Sequence, residues 1–140
     1  MRVFLDANVL FSAALSPGGA SAGLFELASV TSIELVTSQY AKQEAERNLR
    51  IKAASSMSRW ENIHRVVHDV ADADPKLLKQ MTVSLPDKDL PILAAAIACG
   101  ASLLVTGDSR HFGHLFHRTI GATLILPPRD TLEVLLDDEA

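Results

Sequence analysis

Two short apolar runs each end at an acid. Arg2-Val3-Phe4-Leu5 leads into Asp6, and Ser102-Leu103-Leu104-Val105-Thr106-Gly107 leads into Asp108. Such runs suit buried strands, and the segments between them carry helical spacing. Strands that alternate with helices pair in parallel through right-handed crossovers. The expected class is α/β, a three-layer α/β/α sandwich around a central, mostly parallel sheet of four to five strands. In open sheets of this kind, functional groups gather outside the carboxyl ends of the strands. An acid just past each of two strands then points at one rim.

The remaining elements fill in that frame. Ala7 to Leu15 is apolar and Ala-rich, and Ser16-Pro17-Gly18-Gly19 ends it with a turn signal. Ser21 is a candidate cap for a second helix carrying Leu24, Phe25, Leu27 and Ala28. Ile33 to Thr37 alternates and reads as a second strand, and Ser38 then caps a helix from Gln39 to about Arg50. Ala53 to Val70 is expected to be mostly helical, with Met57, Trp60, Ile63 and Val67 on one stripe. Asp72-Ala73-Asp74-Pro75 breaks it, and Lys76 to Met81 adds a turn of helix. Thr82 to Leu85 reads as a weak strand and Pro86 to Asp89 as a turn. Pro91 takes the first position of a helix running to Cys99, closed by Gly100. Ser102 to Thr106 and Thr123 to Leu126 are the last two strands. A short helix is expected around His111 to Phe116, and an amphipathic turn at Leu132 to Leu136.

A chain of 140 residues suits one domain, taken here as 1–140. Aromatic residues make up only 5%, which favours helices packed on a sheet over an aromatic-rich β-sandwich. The net charge of −4 excludes a general polycation that binds nucleic acid over its whole surface. It leaves room for a nucleic-acid enzyme, because a bound metal brings its own positive charge. The single cysteine, Cys99, rules out a disulfide framework within one chain and reads as a buried inert thiol. There is no charged-then-apolar leader and no apolar stretch of membrane-spanning length, so a soluble cytoplasmic protein without membrane contact is expected.

Four acids fall on the predicted rim: Asp6, Glu44, Asp89 and Asp108. Singly, each has a plain explanation. Asp6, Asp89 and Asp108 sit where caps are wanted, and Glu44 could be a solvated charge on a helix. Together they describe a crowded set of carboxylates that cannot all stay ionised without a compensating cation. Hard oxygen ligands call for a divalent ion such as Mg²⁺ or Mn²⁺. Asn8 can hydrogen-bond a neighbouring carboxylate without adding charge, and Thr106 can do the same, orienting the ligands.

Other polar residues carry weaker signals. His64 and His68, spaced i, i+4 on the expected helix, have no third ligand nearby and read as a solvated face. His111, His114 and His117 read as surface or half-buried histidines, with only His111 close to Asp108. Arg47, Arg50 and Arg110 are candidates for gripping phosphates, set against surface pairing of the first two with Glu44 and Glu46.

The chain resembles the PIN-domain family, in particular the branch of toxin components of toxin–antitoxin pairs (VapC-like ribonucleases). The matching residues are Leu5-Asp6-Ala7-Asn8-Val9-Leu10 with Ser12 and the Ser16-Pro17-Gly18-Gly19 loop, then Ser38 with Glu44 and Leu49. Asp89-Leu90-Pro91-Ile92-Leu93-Ala94-Ala95-Ala96, Leu104-Val105-Thr106-Gly107-Asp108 and Ile125-Leu126-Pro127-Pro128-Arg129 complete it, so the resemblance spans essentially the whole chain. It implies a metal-dependent endoribonuclease that hydrolyses RNA phosphodiesters with Mg²⁺ or Mn²⁺. Its acids match Asp6, Glu44, Asp89 and Asp108. Asp6 and Asp89 would be direct ligands, Asp108 a ligand of the same or a second ion, and Glu44 would bind the second ion or orient the attacking water. A partner antitoxin and a homodimer are implied as well. Where family members often carry a further acid, this chain has Ser109-Arg110-His111, and His111 could contact phosphate or water instead. Asp87 is the alternative to Asp89, which is preferred because it directly precedes the matching Leu-Pro-Ile-Leu-Ala run.

Competing classes fit less well. A haloacid-dehalogenase-like phosphatase wants an Asp where Asn8 stands, and a receiver domain wants a Lys where Pro127-Pro128-Arg129 stands. No Gly-Lys-Ser/Thr follows the Gly18-Gly19 turn, which excludes a P-loop. The alternative that remains is a catalytically silent PIN-fold module that binds RNA or protein.

Overall fold

Pairing of the apolar runs sets the architecture. The computed structural model describes residues 1–139, with side chains through Asp137. Its six strands are β1 (Arg2–Leu5), β2 (Glu34–Ser38), β3 (His68–Val70), β4 (Leu103–Val105), β5 (Thr119–Ile120) and β6 (Thr123–Leu126), in the order β3-β2-β1-β4-β6-β5. All neighbours are parallel except β5, which runs antiparallel to β6. Apart from Arg2 at its start, β1 is apolar like its neighbour β4, because helices cover both of their faces. Val3, Phe4, Leu5, Leu104, Val105 and Ile125 are all fully buried.

The helices are α1 (Ala7–Leu15), α2 (Ala20–Ser29), α3 (Gln39–Lys52), α4 (Met57–Val66), α5 (Pro75–Gln80), α6 (Leu90–Ala98), α7 (Ser109–Phe112) and α8 (Pro128–Glu139). The chain steps outward from β1 to β2 to β3, then returns across the sheet to β4. Right-handed crossovers therefore put α1 to α4 on one face and α5 to α7 on the other. In keeping with this, α1 packs on α2, α3 and α4, α8 packs on α2, and α5 packs on α6. The direction of winding reverses between β1 and β4, which opens a crevice at their carboxyl ends.

Several expected elements differ. The segment 53–70 is not one helix. A 3₁₀ turn at Ala54–Ser56 precedes α4, which stops at Val66, and His68–Val70 pairs with Val36–Ser38 as an edge strand. Helical spacing continues into this stretch, but ladder bonds to β2 are available there. The buried Lys42 ammonium also ties down the carbonyls of His64 and Val67 and pairs with Asp69. His64 and His68 accordingly do not share a helix face. Thr82 to Leu85 is irregular rather than a strand: Pro86 follows it, and the sheet edges are taken by β3 and β5.

Short-range features shift other boundaries. The expected helix around His111–Phe116 is α7 followed by a 3₁₀ turn at Gly113–Leu115. Strand β5, unforeseen, returns through Gly121, whose φ of +63° suits a tight reversal. The final amphipathic turn is the middle of a longer helix started by Pro128. Gly19 rather than Ser21 occupies the cap position of α2, and Ser21 is buried within that helix. Ser38 does cap α3, accepting from the Ala41 amide at 3.2 Å. Leu90, not Pro91, is the first residue of α6, and Gly100 ends that helix at φ +73°. Cys99 is half-buried rather than buried, and burial raises its thiol pKa.

Candidate metal centre

The crevice is built outward from the β1–β4 pair. Leu5 lies beside Val105, so the residues after each strand meet, and the Asp6 amide donates to the Val105 carbonyl at 3.0 Å. Asp6 also caps α1, accepting from the Ala7 amide with Oδ1 at 2.7 Å. Its Oδ2 accepts from the Thr106 hydroxyl at 2.8 Å and from the Asn8 amide nitrogen at 2.9 Å. Asn8 spans the gap further by accepting from the Gly107 amide at 2.7 Å. Thr106 Oγ1 accepts from the Asp108 amide at 3.2 Å. One network thus fixes both turns relative to each other. Gly107 lets the turn sit close to Asn8: a Cβ there would approach Asn8 Oδ1 to 3.2 Å and push that side chain aside by a few tenths of an ångström.

The other two acids arrive from elsewhere in the chain. Glu44 sits on α3 and Asp89 at the start of α6. Together with Asp6 and Asp108 they line one cleft of about 410 Å³. Asp89 occupies a cap position but makes no capping bond with its side chain, so the plain explanation does not apply to it. Asp87 is exposed and lies outside the cleft lining. The Tyr40 hydroxyl donates to the Lys88 carbonyl at 2.7 Å, tying α3 to the loop that carries Asp89.

The electrostatics agree with crowding. Asp6 is buried and its pKa is raised to about 6. Burial is the main cause, opposed by the bonds from Thr106 and Ala7 and reinforced by the charges of Glu44 and Asp89. Burial raises Asp89 too, against a lowering from His111. Tyr40 is raised by burial and then by the charges of Glu44, Asp89 and Asp6.

His111, on α7, does not itself line the cleft but reaches two of its acids from behind. Its Nδ1 lies 3.0 Å from Asp89 Oδ2 and 2.9 Å from Asp108 Oδ2. These three residues form a cluster whose donor atoms all lie within 4.8 Å of one another. His111 Nδ1 and Asp89 Oδ2 are both shielded from solvent, yet neither makes a hydrogen bond. With the ring proton on Nε2, the Nδ1 lone pair faces the two carboxylate oxygens, an arrangement that a shared cation would relieve. Carboxylate oxygens are the donors that Mg²⁺ and Mn²⁺ prefer, so this donor set fits a divalent ion.

The cations foreseen for phosphate binding stand elsewhere. Arg47, Arg50 and Arg110 are exposed and do not line the cleft, and Arg50 pairs with Glu46 at 3.7 Å. Lys52 and Lys88 line it instead. Lys52 was legible in principle: Glu44, Asn48 and Lys52 recur every four residues and all three face the cleft, whereas Arg47 and Arg50 fall off that stripe. Lys88 lies in the expected turn before α6, where no periodicity gives a direction. His114 and His117 serve structure, holding the Ser84 carbonyl at 2.8 Å and the Asp130 carboxylate at 2.7 Å.

The family model of the PIN domain matches residues 2–110. No curated protein matches the sequence significantly. Among solved structures, the chain resembles VapBC2 from Rickettsia felis, solved bound to a DNA fragment from their promoter. That match has 18% identity and a TM-score of 0.67, covering 91% of this chain and 98% of that one. VapBC-1 from nontypeable Haemophilus influenzae matches at 16% identity and TM-score 0.59, covering 92% and 99%. VapC20 from Mycobacterium tuberculosis, described as a Sarcin-Ricin loop cleaving toxin, matches at 18% identity and TM-score 0.53, covering 77% and 91%.

Proposed function

The chain belongs to the PIN-domain family, and on that premise we propose that it is a metal-dependent endoribonuclease, the toxin of a toxin–antitoxin pair. The observation that carries this reading is the convergence of Asp6, Glu44, Asp89 and Asp108, from four separate segments, on one cleft. Asp6, Asp89 and Asp108 would hold Mg²⁺ or Mn²⁺, and Glu44 would hold a second ion or orient the attacking water. A cation there lowers the pKa of water and neutralises charge on the scissile phosphate. The remaining work falls to the chain's own side chains. Asn8 and Thr106 hold Asp6 Oδ2 from two sides and keep its carboxylate from rotating. Lys52 and Lys88 would grip phosphates flanking the cut, while Arg47, Arg50 and Arg110 would meet RNA only beyond the cleft.

The toxin role is supported by likeness in fold to VapBC2, VapBC-1 and VapC20. It implies an antitoxin that covers the acidic cleft, a homodimer and a cytoplasmic location. No described helix is long and apolar enough to cross a membrane.

The test is cleavage of defined single-stranded RNA by purified protein with Mg²⁺ or Mn²⁺. Wild type is expected to cut internally, and Asp6→Asn and Asp89→Asn each to cut about a hundredfold more slowly or worse. RNA binding with no metal-dependent cleavage would support the silent module instead.

A further inference from the structure

We infer that His111 is a nitrogen ligand of the cation in the cleft and that it tilts the site from Mg²⁺ toward Mn²⁺. This deepens the metal-dependent reading above and rests on it. His111 lies just past the residues matched by the family model, so its role has to be argued from its surroundings.

Three observations carry the assignment. First, Asp108 divides its carboxylate between two tasks. Oδ1 accepts from the His111 amide at 3.1 Å, capping α7, and Oδ2 is left facing the His111 ring. The cap therefore fixes the ring and the free oxygen side by side. Second, Nδ1 lies 2.9 and 3.0 Å from oxygens of two different acids, yet the geometry falls short of a hydrogen bond to either. An imidazolium clamping two carboxylates would aim its proton at one of them. Third, the separations suit shared coordination. Donors at adjacent corners of an octahedron with bonds of about 2.1 Å lie about 3 Å apart, well off one another's bond axes. Both nitrogen–oxygen distances match that spacing.

The chemical consequence follows from donor type. Carboxylates serve Mg²⁺ and Mn²⁺ alike, whereas imidazole contributes more to transition ions than to Mg²⁺. Exchanging an oxygen for a nitrogen in one position thus widens the gap between the two ions.

The test uses the full-length protein loaded with Mn²⁺, with electron spin-echo modulation to detect nitrogen bound to the ion. Wild type is expected to show histidine nitrogen coupling, and His111→Gln to lose it while keeping the native circular dichroism spectrum. Calorimetric titration is expected to show Mn²⁺ affinity falling about tenfold or more in His111→Gln, with a smaller loss for Mg²⁺. Mn²⁺ that binds, and is lost in Asp89→Asn, but shows no nitrogen coupling in wild type would overturn His111 as a ligand and leave the nuclease reading standing. Coupling that persists in His111→Gln would overturn it as well. Failure of wild type to bind either ion would overturn both readings.

Discussion

At Asp6, burial works against ionisation while three donors work for it, and burial wins. The folded state holds the proton more tightly than the unfolded chain, with a pKa near 6 against 3.8. Stability from this group is therefore fully present below about pH 3.8 and lost as pH rises through about 6. The gap is worth about 3 kcal/mol in metal-free protein at neutral pH. Asp6→Asn removes the charge, so it is expected to raise the metal-free melting temperature at pH 7, with the difference from wild type closing by about pH 4. Thermal melts across that range in the presence of chelator check it, and a constant difference at all pH values counts against the assignment. Asp6, Asp89 and Asp108 were legible in the sequence because each stands at the boundary of a recognisable element, whereas Glu44 lies inside α3. Their partners were partly so. Asn8 and Thr106 stand beside Asp6 and Asp108 in the chain, but which oxygen each one holds depends on the pairing of β1 with β4.

Helix α3 shows what an element adds to its residues. Spacing of four residues puts Glu44, Asn48 and Lys52 on the stripe that faces the cleft, with Tyr40 one turn earlier fastening the Asp89 loop. The negative end of the site and a cation for phosphate thus share one rigid scaffold. Lys52→Gln and Lys88→Gln are each expected to weaken RNA binding and to reduce its salt dependence by about one phosphate contact, without changing Mn²⁺ affinity. Arg50→Gln, whose side chain pairs with Glu46 outside the cleft, is expected to change RNA binding little. Binding titrations at several salt concentrations distinguish the two groups, and the reverse order would return the phosphate role to the arginines. The sequence revealed α3 but not which cations line the cleft, because a charged side chain's surroundings depend on what the opposite wall supplies. The strand in 68–70 was hidden for a related reason. Its residues continue a helical stripe locally, and only the β2 edge and the Lys42 anchor favour the extended form.

Across the whole molecule, four segments spread from residue 6 to residue 108 lend charge to one concave surface. Holding them together without a cation costs stability that a bound ion returns. At a hundredfold excess over its dissociation constant, Mn²⁺ is expected to add about 2.7 kcal/mol, or roughly 10 °C in melting temperature for a domain of this size. The shift is expected to vanish in Asp89→Asn. A melting temperature indifferent to Mn²⁺ in wild type would mean that the cleft holds no ion. The sequence by itself determined the α/β alternation, the buried central strands and the acids at the ends of elements, because these follow from local periodicity and from the chemistry of neighbouring residues. Only the tertiary structure decided the order of the sheet, the edge strands β3 and β5, the lysines of the cleft and the place of His111 between two carboxylates. Those depend on contacts between residues far apart in the chain, whose energy exists only once the backbone has closed around them.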